Sequence, residues 1–173
     1  FMQASHGPYY AFFTMYVEGQ GFSRAVAGQL WALGVAAEVV LFLGMPRLIL
    51  RFGAWPLVTL ALALTSLRWT LLATIPESLA ALISIQLLHA ASYGVYHAAA
   101  ISLIHLYFPG RLQGRGQALY SSLSFGLGGA AGALASGYLW DGVSHASVYV
   151  FAAVLAGLGL LVAVAGLLRA RVD

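Results

Sequence analysis

The chain has 173 residues, of which 61% are hydrophobic and only 8% charged, with a formal net charge of +3 and no cysteine. A soluble domain ordinarily carries about a quarter charged residues, so too few charges remain here to clothe a water-facing surface. The lack of cysteine excludes a disulfide framework and a thiolate metal site, and eight basic residues, all arginine, are too sparse for a nucleic-acid footprint.

Apolar runs of about 18–20 residues recur along the chain, each long enough to span a bilayer. They predict an all-α, polytopic membrane protein with six transmembrane helices in one bundle, at roughly 1–18, 25–45, 55–75, 78–106, 115–140 and 146–168. The first span opens on Phe1 without a basic flank, which does not read as a cleavable signal. It reads as the start of the C-terminal portion of a longer protein. His6, Tyr9, Tyr10 and Phe13 share one side of this span, and Pro8 can kink it. That face is either aromatic packing or one wall of a pocket for a flat, ring-shaped ligand.

Glu18-Gly19-Gln20-Gly21 turns the chain into the second span, which carries Glu38 and is expected to end at Met45-Pro46. The third begins after Gly53 and Pro56 and carries Arg68 beside Trp69, an indole that suits either a pocket or lipid. The fourth, after Pro76, is too long for a straight span and is expected to tilt or to break near Ser92-Tyr93-Gly94. At about 100° per residue, its Gln86, His89, Tyr93, Tyr96 and His97 form one polar stripe of the kind that lines a cavity. The fifth span follows Pro109-Gly110. Its Gly126, Gly128, Gly129, Gly132 and Gly137 suit close helix packing or a gating hinge, Gly128 and Gly132 having the G-x-x-x-G spacing. The sixth follows Asp141-Gly142.

Arginines alternate between the connections. Arg47 and Arg51 follow the second span, Arg111 and Arg115 the fourth, and Arg169 and Arg171 the sixth, whereas the odd connections hold only Arg24 with Glu18, Glu77 and Asp141. The positive-inside rule then makes the even connections and the C-terminus cytoplasmic. The two triplets of spans so oriented permit an inverted repeat of the transporter kind.

Glu38 and Arg68 lie well inside spans, where a charge costs about 2.5–3.5 kcal/mol even on a lenient scale. They form a structural ion pair, or they serve a substrate or a proton. Counting about 1.5 Å per residue from the outer ends, Glu38, His6 and His89 fall roughly 17–21 Å down, near the midplane. Arg68 falls about 10 Å down, free to reach inward or to snorkel outward. No phosphate-binding loop, metal-binding motif, cofactor motif or nucleophile–base spacing is present, so neither an ATP-driven pump nor an enzyme is indicated. A serine or metal intramembrane hydrolase is the rival class, with Ser92 near His89 or Ser136 as its nucleophile; a non-transporting structural module is the other alternative, against which the mid-depth polar stripe speaks.

Five strings carry a family resemblance: SHGPYYAFF (5–13), LWALGVAAEVVLF (30–42), RFG (51–53), QLLHAASYGVYHAAA (86–100) and FPGRLQGRGQALYSSLSFGLGGA (108–130). The chain resembles the C-terminal half of the 3-phenylpropionic acid transporter family of the major facilitator superfamily, relatives of the lactose permease type of proton symporter. The resemblance implies a multi-pass protein of the bacterial inner membrane and a partner six-helix N-terminal half missing from this chain. It implies alternating access and proton-coupled symport of a small organic acid such as an aromatic carboxylate; a sugar or a nucleoside is the alternative substrate. Glu38, Arg68 and His89 match the family's coupling glutamate, arginine and histidine by span. The glutamate expected three residues after the histidine is replaced by Ser92. Glu38, His89 and Arg68 are therefore the expected proton-coupling residues. His6, Tyr9, Tyr10, Gln86, His89, Tyr93, His97 and Arg68 are the expected substrate contacts.

Overall fold

The computed structural model describes residues 1–169, which form a bundle of helical rods joined by short turns. The rods are α1 (Met2–Gly19), α2 (Arg24–Phe52), α3 (Ala54–Thr74), α4 (Leu79–Tyr107), α5 (Gly110–Gly142) and α6 (Ser147–Arg169). Arg171, part of the expected basic tail, lies outside the described residues. Among the described residues, α2 to α6 are long and apolar enough to cross a membrane. The first helix is not in that set, because Gln3, Ser5, His6, Pro8, Glu18 and three tyrosines dilute its 18 residues. Five candidate spans thus stand where the sequence predicted six.

The start of α2 is capped by Ser23, whose Oγ accepts from the Val26 N–H at 3.3 Å. The helix does not end at Met45-Pro46 as expected but runs on to Phe52. A proline removes one backbone donor, yet apolar surroundings favour keeping every remaining backbone group in the helical ladder. The stop comes at Gly53, whose φ of 79° only glycine adopts readily and whose N–H bonds the Ile49 carbonyl at 2.9 Å. Arg47 and Arg51 accordingly sit in the last turns of α2 rather than in a loop. The break expected near Ser92-Tyr93-Gly94 is a π-helical segment, Ala90–Gly94, inside a continuous α4. A second π segment, Ser121–Gly128, interrupts α5.

In the packed bundle, α3 lies along α6, α2 along α4, and α1 against α6 and the C-terminal part of α5. Glycine makes the last contact possible. A Cβ on Gly132 would collide with the Ala4 carbonyl, and one on Gly7 would come within 2.5 Å of the Ala133 nitrogen. Gly128 also faces α1, whereas Gly126, Gly129 and Gly137 look into open space. Close backbone approach is therefore the task of Gly7 and Gly132.

Two apolar clusters fill the bundle. One gathers Phe13, Tyr16, Leu30, Leu72, Leu82, Ile85, Tyr149 and Ala152. The other gathers Met2, Met45, Leu57, Leu62, Val95, Ala99 and Ala163. Along α1, α3 and α4 the residues between them in sequence are polar and buried: Ser5 and His6, Thr65 and Arg68, and Gln86, His89 and Ser92.

Candidate functional site

Polar groups are buried when they have partners or a task, since an unpaired one costs free energy in an apolar interior. Arg68 of α3 is the centre of this layer and is fully buried. Its Nε donates to the Ile85 carbonyl at 3.0 Å, and its Nη1 lies 3.4 Å from His6 Nε2. The guanidinium carbon sits 4.5 Å from the Tyr9 ring centroid and 4.3 Å from that of Trp69. Cation–π attraction is stronger in such desolvated surroundings. The side chain thus reaches inward rather than snorkelling.

His6 is held on both ring nitrogens. Its Nδ1 is 3.0 Å from the Met2 carbonyl, which can only accept, so Nδ1 carries a proton. In the neutral ring Nε2 is then an acceptor, the role that Arg68 Nη1 requires. Ser5 Oγ donates to the same carbonyl at 2.7 Å and accepts from the Trp69 indole at 3.2 Å. Trp69 is therefore interior, facing neither a pocket nor lipid. Tyr9 donates to Gln86 Oε1 at 2.8 Å, closing the layer over the guanidinium.

Glu38 approaches from α2 at the edge of this layer. The direct Glu38–Arg68 pair that the sequence allowed is not made. Among the described residues the ion pairs are Arg24–Glu18 at 2.6 Å and His89–Glu38, with His89 Nε2 3.3 Å from Glu38 Oε1. That second pair is close enough for attraction, but Glu38 Oε1 has no aligned hydrogen-bond donor. Arg68 Nη2, Gln86 Nε2 and His89 Nδ1 also lack partners. Two unmet donors, one unpaired imidazole nitrogen and one unmet carboxylate oxygen in one buried layer make a site with hydrogen-bonding capacity to spare.

The expected residues divide into two groups. His6, Tyr9, Gln86, His89 and Arg68 come together in the interior, as does Phe13. Tyr10, Tyr93 and His97 lie on an open side, Tyr10 being 52% exposed. The groups meet through stacked rings, His89 on Tyr93 at 5.1 Å and 9° and Tyr93 on His97 at 6.3 Å and 7°, and through the tilted contact of His6 with Tyr93 at 4.9 Å and 50°. Gln3, absent from the expected set, donates to the Tyr93 hydroxyl at 3.2 Å. Tyr120 and Phe125 of α5 were also not anticipated and extend the ring series beyond His97.

The family described as MFS_1 like matches residues 1–151 of this chain. The chain belongs to that family. It is 31% identical over 157 residues to a protein of Escherichia coli K12 named as a probable 3-phenylpropionic acid transporter, covering 88% of this chain and 40% of the relative. It is 26% identical over 151 residues to the uncharacterized transporter YwbF of Bacillus subtilis 168, covering 86% of this chain and 38% of the relative. The chain therefore spans about two fifths of the length of these curated relatives. No solved structure matches it. Family and apolar helices together identify an integral membrane protein of the major facilitator type.

Proposed function

We propose that this chain is the C-terminal six-helix bundle of a proton-coupled symporter for a small organic acid, working by alternating access in a bacterial cytoplasmic membrane with its C-terminus inside. The observation that carries the reading is the buried Arg68, which has no carboxylate within ion-pair distance among the described residues and keeps one donor unmet. A cation held in a low-dielectric layer favours an anion, and a substrate carboxylate meets that demand. Gln86 Nε2 offers a second donor beside it. A carboxylate placed there carries its ring toward the aromatic side chains of α1 and α4. The name of the Escherichia coli relative points to the same substrate class.

Glu38 is the proton site in this reading. It sits next to His89 and at the edge of the layer, where access from either side of the membrane can decide whether it is charged. The two halves of the transporter close around this layer from opposite sides. The six helices here supply one wall, and the N-terminal bundle supplies the other.

The test is uptake of labelled 3-phenylpropionate by cells expressing the whole transporter, with and without a proton gradient, for wild type and Glu38→Gln. Gradient-dependent uptake that falls by about tenfold or more in the variant is expected. Uptake indifferent both to the gradient and to Glu38 removes the coupling role. Inserted protein that takes up no acid removes the substrate class.

A further inference from the structure

We propose that His97, Tyr120 and Phe125 form an aryl-ring subsite on the open side of the bundle, one that selects aromatic over saturated rings. The inference deepens the organic-acid reading and rests on it for the direction of approach.

The argument begins with helix winding. In an α-helix, residues five apart point about 140° away from each other, so Tyr120 and Phe125 would face different neighbours. The π segment Ser121–Gly128 follows directly on Tyr120, and its i→i+5 bonding brings residues five apart onto one face. The two rings meet edge to face, with centroids 5.8 Å apart and planes at 89°. His97 closes the third side, 6.0 Å from each ring and at 81° to Phe125. Its Nδ1 lies 3.4 Å from the Tyr120 hydroxyl. The trio is not sealed, because Phe125 is 39% exposed and the other two are half-buried.

The polarity of this trio argues against contact with lipid tails. Tyr120 stands five residues beyond Arg115, about 7.5 Å along the rod and inside the apolar part of the span. The imidazole and the phenol partner each other but stay partly open, and such an open polar pair suits a polar cavity better than hydrocarbon. A ring bound here meets the faces and edges that aromatic pairs prefer. The stack His97–Tyr93–His89 then runs from the subsite to Glu38, so the ring site and the proton site are continuous.

Equilibrium binding to the purified whole transporter tests this, with labelled 3-phenylpropionate, the neutral 3-phenylpropanol and the saturated 3-cyclohexylpropionate as probes. Phe125→Ala should weaken both aryl probes by about five- to tenfold, erasing the advantage of 3-phenylpropionate over the cyclohexyl acid. Phe125→Tyr should retain the preference. Phe125→Leu, which keeps bulk without a ring, should lose it and guards against a folding defect in the alanine variant. Arg68→Lys should weaken only the acids. Thus loss of acid binding with ring-dependent alcohol binding sinks the organic-acid reading and leaves the subsite. Equal losses for aryl and cyclohexyl probes, no change in any of them, or folded protein that binds neither aryl probe overturns the subsite.

Discussion

Arg68 and Glu38 share one polar layer, and the fold treats the two charges in opposite ways. Arg68 is gripped at every point but Nη2: a carbonyl on Nε, an imidazole on Nη1 and the rings of Tyr9 and Trp69 beside its carbon. Its side chain is fully buried. Glu38 keeps 16% of its side chain exposed, touches one imidazole and leaves an oxygen unaligned. A group held so tightly cannot change partners cheaply. A group held loosely at an edge can gain or lose a proton at small structural cost. The contrast suggests a division of labour in which Arg68 is the fixed charge and Glu38 the variable one.

The largest effect that sharpens this contrast is expected at Arg68. Arg68→Ala strands the Ile85 carbonyl and His6 and opens a void, so uptake should fall by about 100-fold or more at matched membrane levels. Arg68→Lys should recover little, because a single ammonium cannot reproduce the planar fork that serves a carbonyl and an imidazole at once. Wild-type uptake by the lysine variant would mean that charge alone matters, and the gripped geometry would lose its meaning.

Tyr9→Phe should have a smaller effect. The ring remains over the guanidinium, but the 2.8 Å bond to Gln86 Oε1 is lost and a buried acceptor is left unmet. Such a deletion costs about 1–3 kcal/mol. Thermal unfolding of the purified transporter should report that loss, and Gln86, once released, should let acid affinity fall by about tenfold. Unchanged affinity with lowered stability would make Tyr9 a packing residue only.

How far this layer was legible beforehand follows from what a one-dimensional pattern can hold. Charges within apolar runs stand out, so Glu38, Arg68 and His89 were visible as a group, and helical rise placed Glu38 and His89 at similar depth. The partner of Arg68 was not visible. Whether it meets His6 or Glu38 depends on helix rotation and on the close α1–α5 contact at Gly132, neither of which is set by spacing within one helix. Pro46 misled for a related reason: its usual effect is that of a helix in water, whereas apolar surroundings carry α2 past it. Tyr120 and Phe125 escaped notice because winding at 100° per residue sets them about 140° apart. No residue in SSLSFGLG announces an i→i+5 winding, although its glycines and serines are compatible with one. The two clusters, by contrast, were implied by the apolar runs, and only their division by a polar layer needed the third dimension.

The smallest and most discriminating change is at Gly94, in the π segment of α4. A Cβ there would lie 3.0 Å from Leu41 Cδ2 and 3.6 Å from Glu38 Cγ. The backbone is ordinary, with φ at −61°, so alanine brings no conformational strain. The tip of Leu41 must give by a few tenths of an ångström, and alanine's better helix propensity, up to about 1 kcal/mol, offsets the crowding. Gly94→Ala should therefore leave stability within about 1 kcal/mol of wild type while setting a methyl group in ordinary contact with Glu38 and moving the tip of Leu41 beside it. The expected readout is a two- to threefold change in the gradient dependence of uptake, about 0.5 kcal/mol, with acid affinity held. If alanine at Gly94 proves as damaging as alanine at Arg68, the surroundings of Glu38 are as rigid as those of the guanidinium. The two charges would then have to move together, as one element of a conformational change rather than as a fixed and a variable partner.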